Sequence, residues 1–199
     1  GKKMRFFEKR PFIMIVVGVL GISLSSIFVK YSAAPSAVTA AWRLVWTVIL
    51  MTPAVFCSKA VRKELKSLTG KQLGLSVLSG VFLAAHFATW FESLQHTSVA
   101  SSTTIVCTEV IWVSLGWWLF MKGKLSGKAV AAIGVTLAGS ALIAFSDSGS
   151  GAHLKGDLLA LAAAVTVAAY VLLGRVVREE LSTTVYTYLV YIACAGVLL

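Results

Sequence analysis

Apolar residues arrive in long blocks, and these blocks constrain the chain more than any motif does. Windows of mostly apolar residues cover Phe12–Val29, Ala37–Cys57, Leu73–Ser93, Ser98–Met121, Gly127–Phe145 and Leu158–Val177, and a seventh begins at Thr184–Leu199. A helix needs about 20 such residues to cross the hydrocarbon core. A transmembrane β-barrel would alternate apolar and polar residues in short segments, which these blocks do not. Composition agrees: 58% of the 199 residues are hydrophobic and 13% are charged, against about 25% charged in soluble domains. The expected fold is an all-α polytopic membrane helix bundle.

The formal net charge of +10 is confined largely to one side of that bundle. Lys2, Lys3, Arg5, Lys9 and Arg10 precede the first block, and Lys59, Arg62, Lys63, Lys66 and Lys71 fill the loop between the second and third. Lys122, Lys124 and Lys128 sit between the fourth and fifth, and Arg175 and Arg178 close the sixth. The alternate connections hold only Lys30 and Lys155. Short loops rich in Lys and Arg stay cytoplasmic, so the pattern predicts a cytoplasmic N-terminus and seven crossings. The charge is thus a topology signal; no basic groove or stacking platform argues for a nucleic-acid partner.

Residues 1–35 have the basic start and small-residue end of a signal peptide, but the apolar run exceeds the usual 7–15 residues or so and further spans come directly after it. They read as an uncleaved first helix. Cys57, Cys107 and Cys194 lie within or at the ends of spans, without metal-ligand spacing or a disulfide framework. No metal or cofactor is expected.

The connections carry helix-ending chemistry. Pro35 sits near the first turn of the second span, and Ser58–Gln72 should hold a short basic surface helix. Asp147-Ser148-Gly149-Ser150-Gly151 is a flexible linker that parts the first five spans from the sixth and seventh. Ser25-Ser26-Ile27-Phe28-Val29-Lys30 ends span one much as Tyr170-Val171-Leu172-Leu173-Gly174-Arg175 ends span six. Because five is odd, a second copy would cross the membrane in the opposite sense, as in the inverted repeats of secondary transporters. The chain stops at Leu199 inside an apolar run, so truncation is expected, with about three further helices missing from such a repeat.

Charged groups at the centre of a spanning helix cost about 2.5–3.5 kcal/mol on insertion scales and usually face a cavity or a partner. Arg43 lies roughly 10 Å from the outer end of span two at about 1.5 Å per residue, and Glu109 lies near the middle of span four. His86 in span three is the third such group. Each belongs to a polar stripe with helical spacing. Thr39, Arg43 and Thr47 share a face of span two, beside Trp46. Ser79, His86, Trp90 and Ser93 share one of span three. Span four carries Ser101, Thr104 and Thr108, with Ser102, Glu109 and Gly116 next to them, and span one adds Ser23, Ser26 and Lys30. Converging stripes would line a wet pocket near the midplane, where a transporter holds its substrate.

The candidate pocket residues are therefore Arg43, Thr39, His86, Trp90, Thr108 and Glu109, with Glu109 and His86 as proton-coupling candidates. Competing readings are helix-to-helix hydrogen bonds for Ser and Thr, snorkelling for Lys30 and Glu92, and a buried Arg43–Glu109 ion pair. Trp42, Trp46, Trp112, Trp117 and Trp118 read partly as an interfacial belt. Gly134 and Ala138 form a small-xxx-small pattern, Gly18, Gly21, Gly80 and Gly116 would allow close helix approach, and alanine-rich span six can pack closely.

These residues resemble a known family. Ser25–Lys30, Val38-Thr39-Ala40-Ala41-Trp42-Arg43 and, above all, the stretch His86–Ser102 are similar to the EamA-type branch of the drug/metabolite transporter superfamily. Lys124-Leu125-Ser126 and the Gly134/Gly139 helix resemble the close of a first repeat, and Gly156-Asp157-Leu158-Leu159-Ala160-Leu161 the opening of a second. The resemblance implies two inverted five-helix repeats. Residues 1–146 would be the first EamA-like repeat, 147–156 a periplasmic linker, and 157–199 the first two helices of an incomplete second. It implies export or uptake of metabolites across the bacterial inner membrane without nucleotide hydrolysis. The family's Glu-Pro in helix four is Glu109-Val110 here, which removes the usual source of a kink. The family's acidic residue after helix four is also absent, around Gly123.

The expected function is secondary transport of a small metabolite, amino acid or drug-like molecule by alternating access. Arg43 would hold an anionic group and Trp90 would stack on the substrate. The alternatives are a non-transporting membrane scaffold or helper subunit and an intramembrane enzyme. Paired carboxylates, a Gly-x-Ser-x-Gly elbow and clustered metal ligands are absent from the sequence, and so is a P-loop. The expected partners are a small-molecule substrate and the lipid bilayer, with a homodimer as the way one copy would supply another's missing half.

Overall fold

The computed structural model of the chain describes residues 16, 20, 21, 24, 27–31, 33–147 and 153–199. Most of the first apolar block, with Gly18, Ser23 and Ser26, and linker residues 148–152 lie outside the described residues. Residues 27–30 are helical, and eight further helices come after them. They are α1 (Ser36–Cys57), α2 (Lys59–Lys66), α3 (Gly70–His96), α4 (Val99–Cys107), α5 (Glu109–Met121), α6 (Gly127–Asp147), α7 (Leu154–Val177) and α8 (Thr183–Leu198). No strand occurs among the described residues.

Among the described residues, four stretches are long and apolar enough to cross a membrane: Ala37–Cys57, Gly70–His96, Val99–Met121 and Leu154–Val177. Gly127–Ile143 and Thr183–Leu198 are apolar but shorter. The chain is an all-α polytopic membrane protein. Local chemistry sets the boundaries. Pro35 precedes the first turn of α1 with φ −54°, where its missing N–H costs nothing. Thr69 and Gln72 close a capping box at the start of α3. The basic loop helix is present as α2, with no buried residue.

The centre is the α3–α7 pair, flanked by α8 and α1 on one side and by α4 and α5 on the other; α6 touches the bundle chiefly through α4. Alanine makes the central contact close: Ala160, Ala163, Ala164 and Ala168 of α7 are buried. Gly80 of α3 meets α8 so tightly that a Cβ there would lie 2.6 Å from Ala193 Cβ and 2.8 Å from the Val190 carbonyl oxygen. Gly116 likewise packs on Leu172. The Gly134/Ala138 pattern makes no such contact, since a Cβ at Gly134 would meet open space, and the same holds at Gly21.

Span four is not continuous. The Thr108 N–H bonds the Ile105 carbonyl at 3.0 Å and the Ile111 N–H bonds the Thr108 carbonyl at 2.8 Å, a tight turn in place of the α ladder. The Thr108 hydroxyl also donates to the Ile105 carbonyl at 2.6 Å. Threonine back-bonding of this kind bends helices. The break therefore arises without a proline, one residue before Glu109.

Candidate functional site

Four serines of the polar stripes, Ser79, Ser93, Ser101 and Ser102, bind neighbouring helices. Ser79 pairs with the Tyr186 hydroxyl, and Ser93 pairs with Ser102. Thr97 and Ser101 both donate to Asp157 Oδ1 of α7, each at 2.9 Å. The Lys30 ammonium donates to the carbonyls of Leu94 and Thr97, at the end of α3. A cation is favoured there because the helix dipole leaves negative charge at the C-terminus. Glu92 pairs with His96 at 3.0 Å, and Lys155 reaches the same His96 nitrogen, also at 3.0 Å.

Half-way along α3 the stripe opens onto a cavity of about 290 Å³. Arg43 enters from α1; His86, Phe87 and Trp90 from α3; Thr103 and Cys107 from α4; Glu109 from α5; Tyr170 from α7; and Tyr191 from α8. Leu83, Val106 and Val167 complete an apolar wall. The turn at Thr108 is what starts α5 with Glu109 beside this space.

The polar groups are held from behind. The His86 ring stacks on Trp90 with centroids 5.6 Å apart, and its Nδ1 lies 2.9 Å from the Ala163 carbonyl. A carbonyl only accepts, so Nδ1 carries a hydrogen, and in the neutral form of the ring Nε2 is then an acceptor. The Arg43 guanidinium stands 5.5 Å from the Phe87 ring centroid. No Arg43–Glu109 ion pair occurs among the described residues. Trp90 is 5% exposed, yet its Nε1–H and the Thr103 hydroxyl have no hydrogen-bond partner among the described residues. Leaving a buried polar group unpaired costs about 1–3 kcal/mol, and both residues line the cavity.

Four of the six candidate residues therefore converge: Arg43, His86, Trp90 and Glu109. The other two do not. The Thr39 hydroxyl turns back to the Pro35 carbonyl at 3.3 Å, and Thr108, 5% exposed, is committed to the helix break. Sequence reading missed Thr103, Tyr170 and Tyr191. Thr103 lies outside both span-four stripes, and the tyrosines reach the cavity only through the packing of α7 and α8. No group of three or more His, Cys, Asp or Glu able to hold a metal occurs among the described residues.

The model of the EamA-like transporter family matches residues 9–145, well over half of the chain. The chain belongs to the EamA-like transporter family. No curated protein and no solved structure matches. Every cavity residue on α1, α3, α4 and α5 falls inside the EamA-like match, while Val167, Tyr170 and Tyr191 come from beyond it.

Proposed function

We propose that this multi-pass membrane protein is a secondary transporter whose substrate passes through the Arg43–Glu109 cavity. Membership of a transporter family supports a transporter-like function. The observation that carries the finer reading is the pair of unpartnered buried donors, Trp90 Nε1 and Thr103 Oγ1, in a cavity that also holds a cation and a carboxylate. The substrate is a small metabolite, amino acid or drug-like molecule with an anionic group for Arg43 and an apolar body for Phe87 and Trp90. Glu109 carries the coupling proton, and His86 Nε2 is the second acceptor. The reaction is translocation by alternating access, not covalent chemistry. Residues 157–199 begin a second, inverted repeat, a reading supported by the end of the family match at residue 145.

The test is uptake of a metabolite library driven by a pH gradient in proteoliposomes. Glu109→Gln should abolish pH-driven accumulation yet keep substrate binding, because no ion pair with Arg43 depends on the carboxylate. Wild-type accumulation by that variant would remove Glu109 from the coupling path.

The Lys/Arg-rich end faces the cytoplasm of a bacterial cell, with the inner membrane as the location. A cysteine at exposed Gln95 should react with an impermeant thiol reagent in intact cells, and one at exposed Ser67 should not. Labelling at Ser67 would reverse the orientation.

A further inference from the structure

A second cavity, about 460 Å³, lies between α5 and α7 at the end of the bundle that carries the basic loops. Its polar side is two guanidiniums, Arg175 and Arg178, and its wall is Val113, Leu125, Val171 and Leu172. Three residues apart, the two arginines share one face of α7. Arg175 Cζ sits 3.6 Å from the Trp117 ring centroid, a stack that leaves the planar N–H edge free to point outward. Arg178 is tied through Nε to the Gly174 carbonyl at 3.1 Å, so its terminal amino groups remain available. Gly123 presses against the Trp117 indole where any Cβ would overlap the ring, and so permits the stack.

No acidic group among the described residues neutralises this pair: neither arginine forms an ion pair there. The loop after α5 contributes Lys122 and Lys124, and the Glu180 carboxylate is taken by Gln72 Nε2 at 2.8 Å. Next to the cavity α5 exposes Trp118, Leu119 and Phe120. Two forked cations above an apolar wall, beside a helix that exposes a tryptophan and two large apolar side chains, match one occupant in charge and polarity. We propose that this cavity binds an anionic phospholipid, its phosphate on Arg175 and Arg178 and an acyl chain along Val113 and Leu172. Planar guanidiniums suit phosphate oxygens bidentately. The leaflet is set by the orientation proposed above, whereas binding itself does not depend on it, nor on the transport reading.

The experiment titrates the purified chain in neutral detergent with dioctanoyl phosphatidylglycerol, dioctanoyl phosphatidylcholine and inorganic phosphate, reading bound lipid by native mass spectrometry. Two basic groups at on the order of 1 kcal/mol each predict about a thirtyfold preference for phosphatidylglycerol over phosphatidylcholine. The Arg175→Gln/Arg178→Gln double variant should lose that preference, and Lys155→Gln at the opposite end should keep it. Equal binding of the two lipids by the wild-type chain would overturn the proposal, whatever the stability of the double variant. So would an undiminished preference in the folded double variant, and so would displacement of the lipid by inorganic phosphate at equal concentration, which would make this a free-anion site.

Discussion

The polar knot at the His96 end of α3 and the cavity half-way along the same helix both combine hydroxyls, a cation and a carboxylate, yet they are wired in different ways. At the knot, Asp157 accepts from Thr97 and Ser101, Ser93 pairs with Ser102, and Lys30 donates to the Leu94 and Thr97 carbonyls. The cavity leaves Trp90 Nε1 and Thr103 Oγ1 without partners among the described residues. Polar groups in a membrane helix thus divide by whether their hydrogen bonds are closed within the protein. Closed ones hold helices together; open ones await something else.

The largest expected effect breaks the knot. Asp157→Ala removes the acceptor shared by Thr97 and Ser101, both buried, and leaves two hydroxyls to find new partners. Gly156 beside it is already pressed so close that a Cβ there would lie 2.8 Å from the His96 backbone, so the gap cannot be closed by moving the helices nearer. A loss of about 1–3 kcal/mol is expected, seen as a lower unfolding midpoint in SDS titration. Substrate affinity of the protein that remains folded should not change.

Much of this was legible from residue types alone. The blocks Ala37–Cys57 and Leu158–Val177 lie within one or a few residues of α1 and α7. Ser58–Gln72 contains the surface helix α2, and the costly ions Arg43 and Glu109 and the ring pair His86–Trp90 marked the cavity. Spacing could not tell closed hydrogen bonds from open ones. Ser79 and Ser93 share a helical face with His86, and only the positions of α8 and α4 decide that the serines are taken. The break at Thr108 left no proline or glycine to read, because a hydroxyl choosing the Ile105 carbonyl is a local geometric event. Tyr170 and Tyr191 depend on how α7 and α8 dock, which no local pattern encodes.

The smaller effect tests the cavity side, and it should have the opposite signature. Trp90→Phe keeps an aromatic ring for the stack with His86 but removes Nε1–H together with part of the indole, whereas Thr103→Val is nearly isosteric and removes only the hydroxyl. Neither group has a partner to lose among the described residues, so Thr103→Val should match the wild-type unfolding midpoint to within about 0.5 kcal/mol, while Trp90→Phe should lose only the packing of the smaller ring. The cost should fall on binding instead. One hydrogen bond is worth about 0.5–1.5 kcal/mol, so the affinity for whichever compound the uptake screen returns should drop by up to about tenfold for Trp90→Phe. The drop for Thr103→Val should be smaller, because its hydroxyl can also turn back to a helix carbonyl. The two losses should be less than additive if both donors reach one substrate group, and additive if they reach separate groups. If Thr103→Val instead destabilises the fold as much as Asp157→Ala does, the hydroxyl is closed within the protein, and the distinction between knot and cavity fails there.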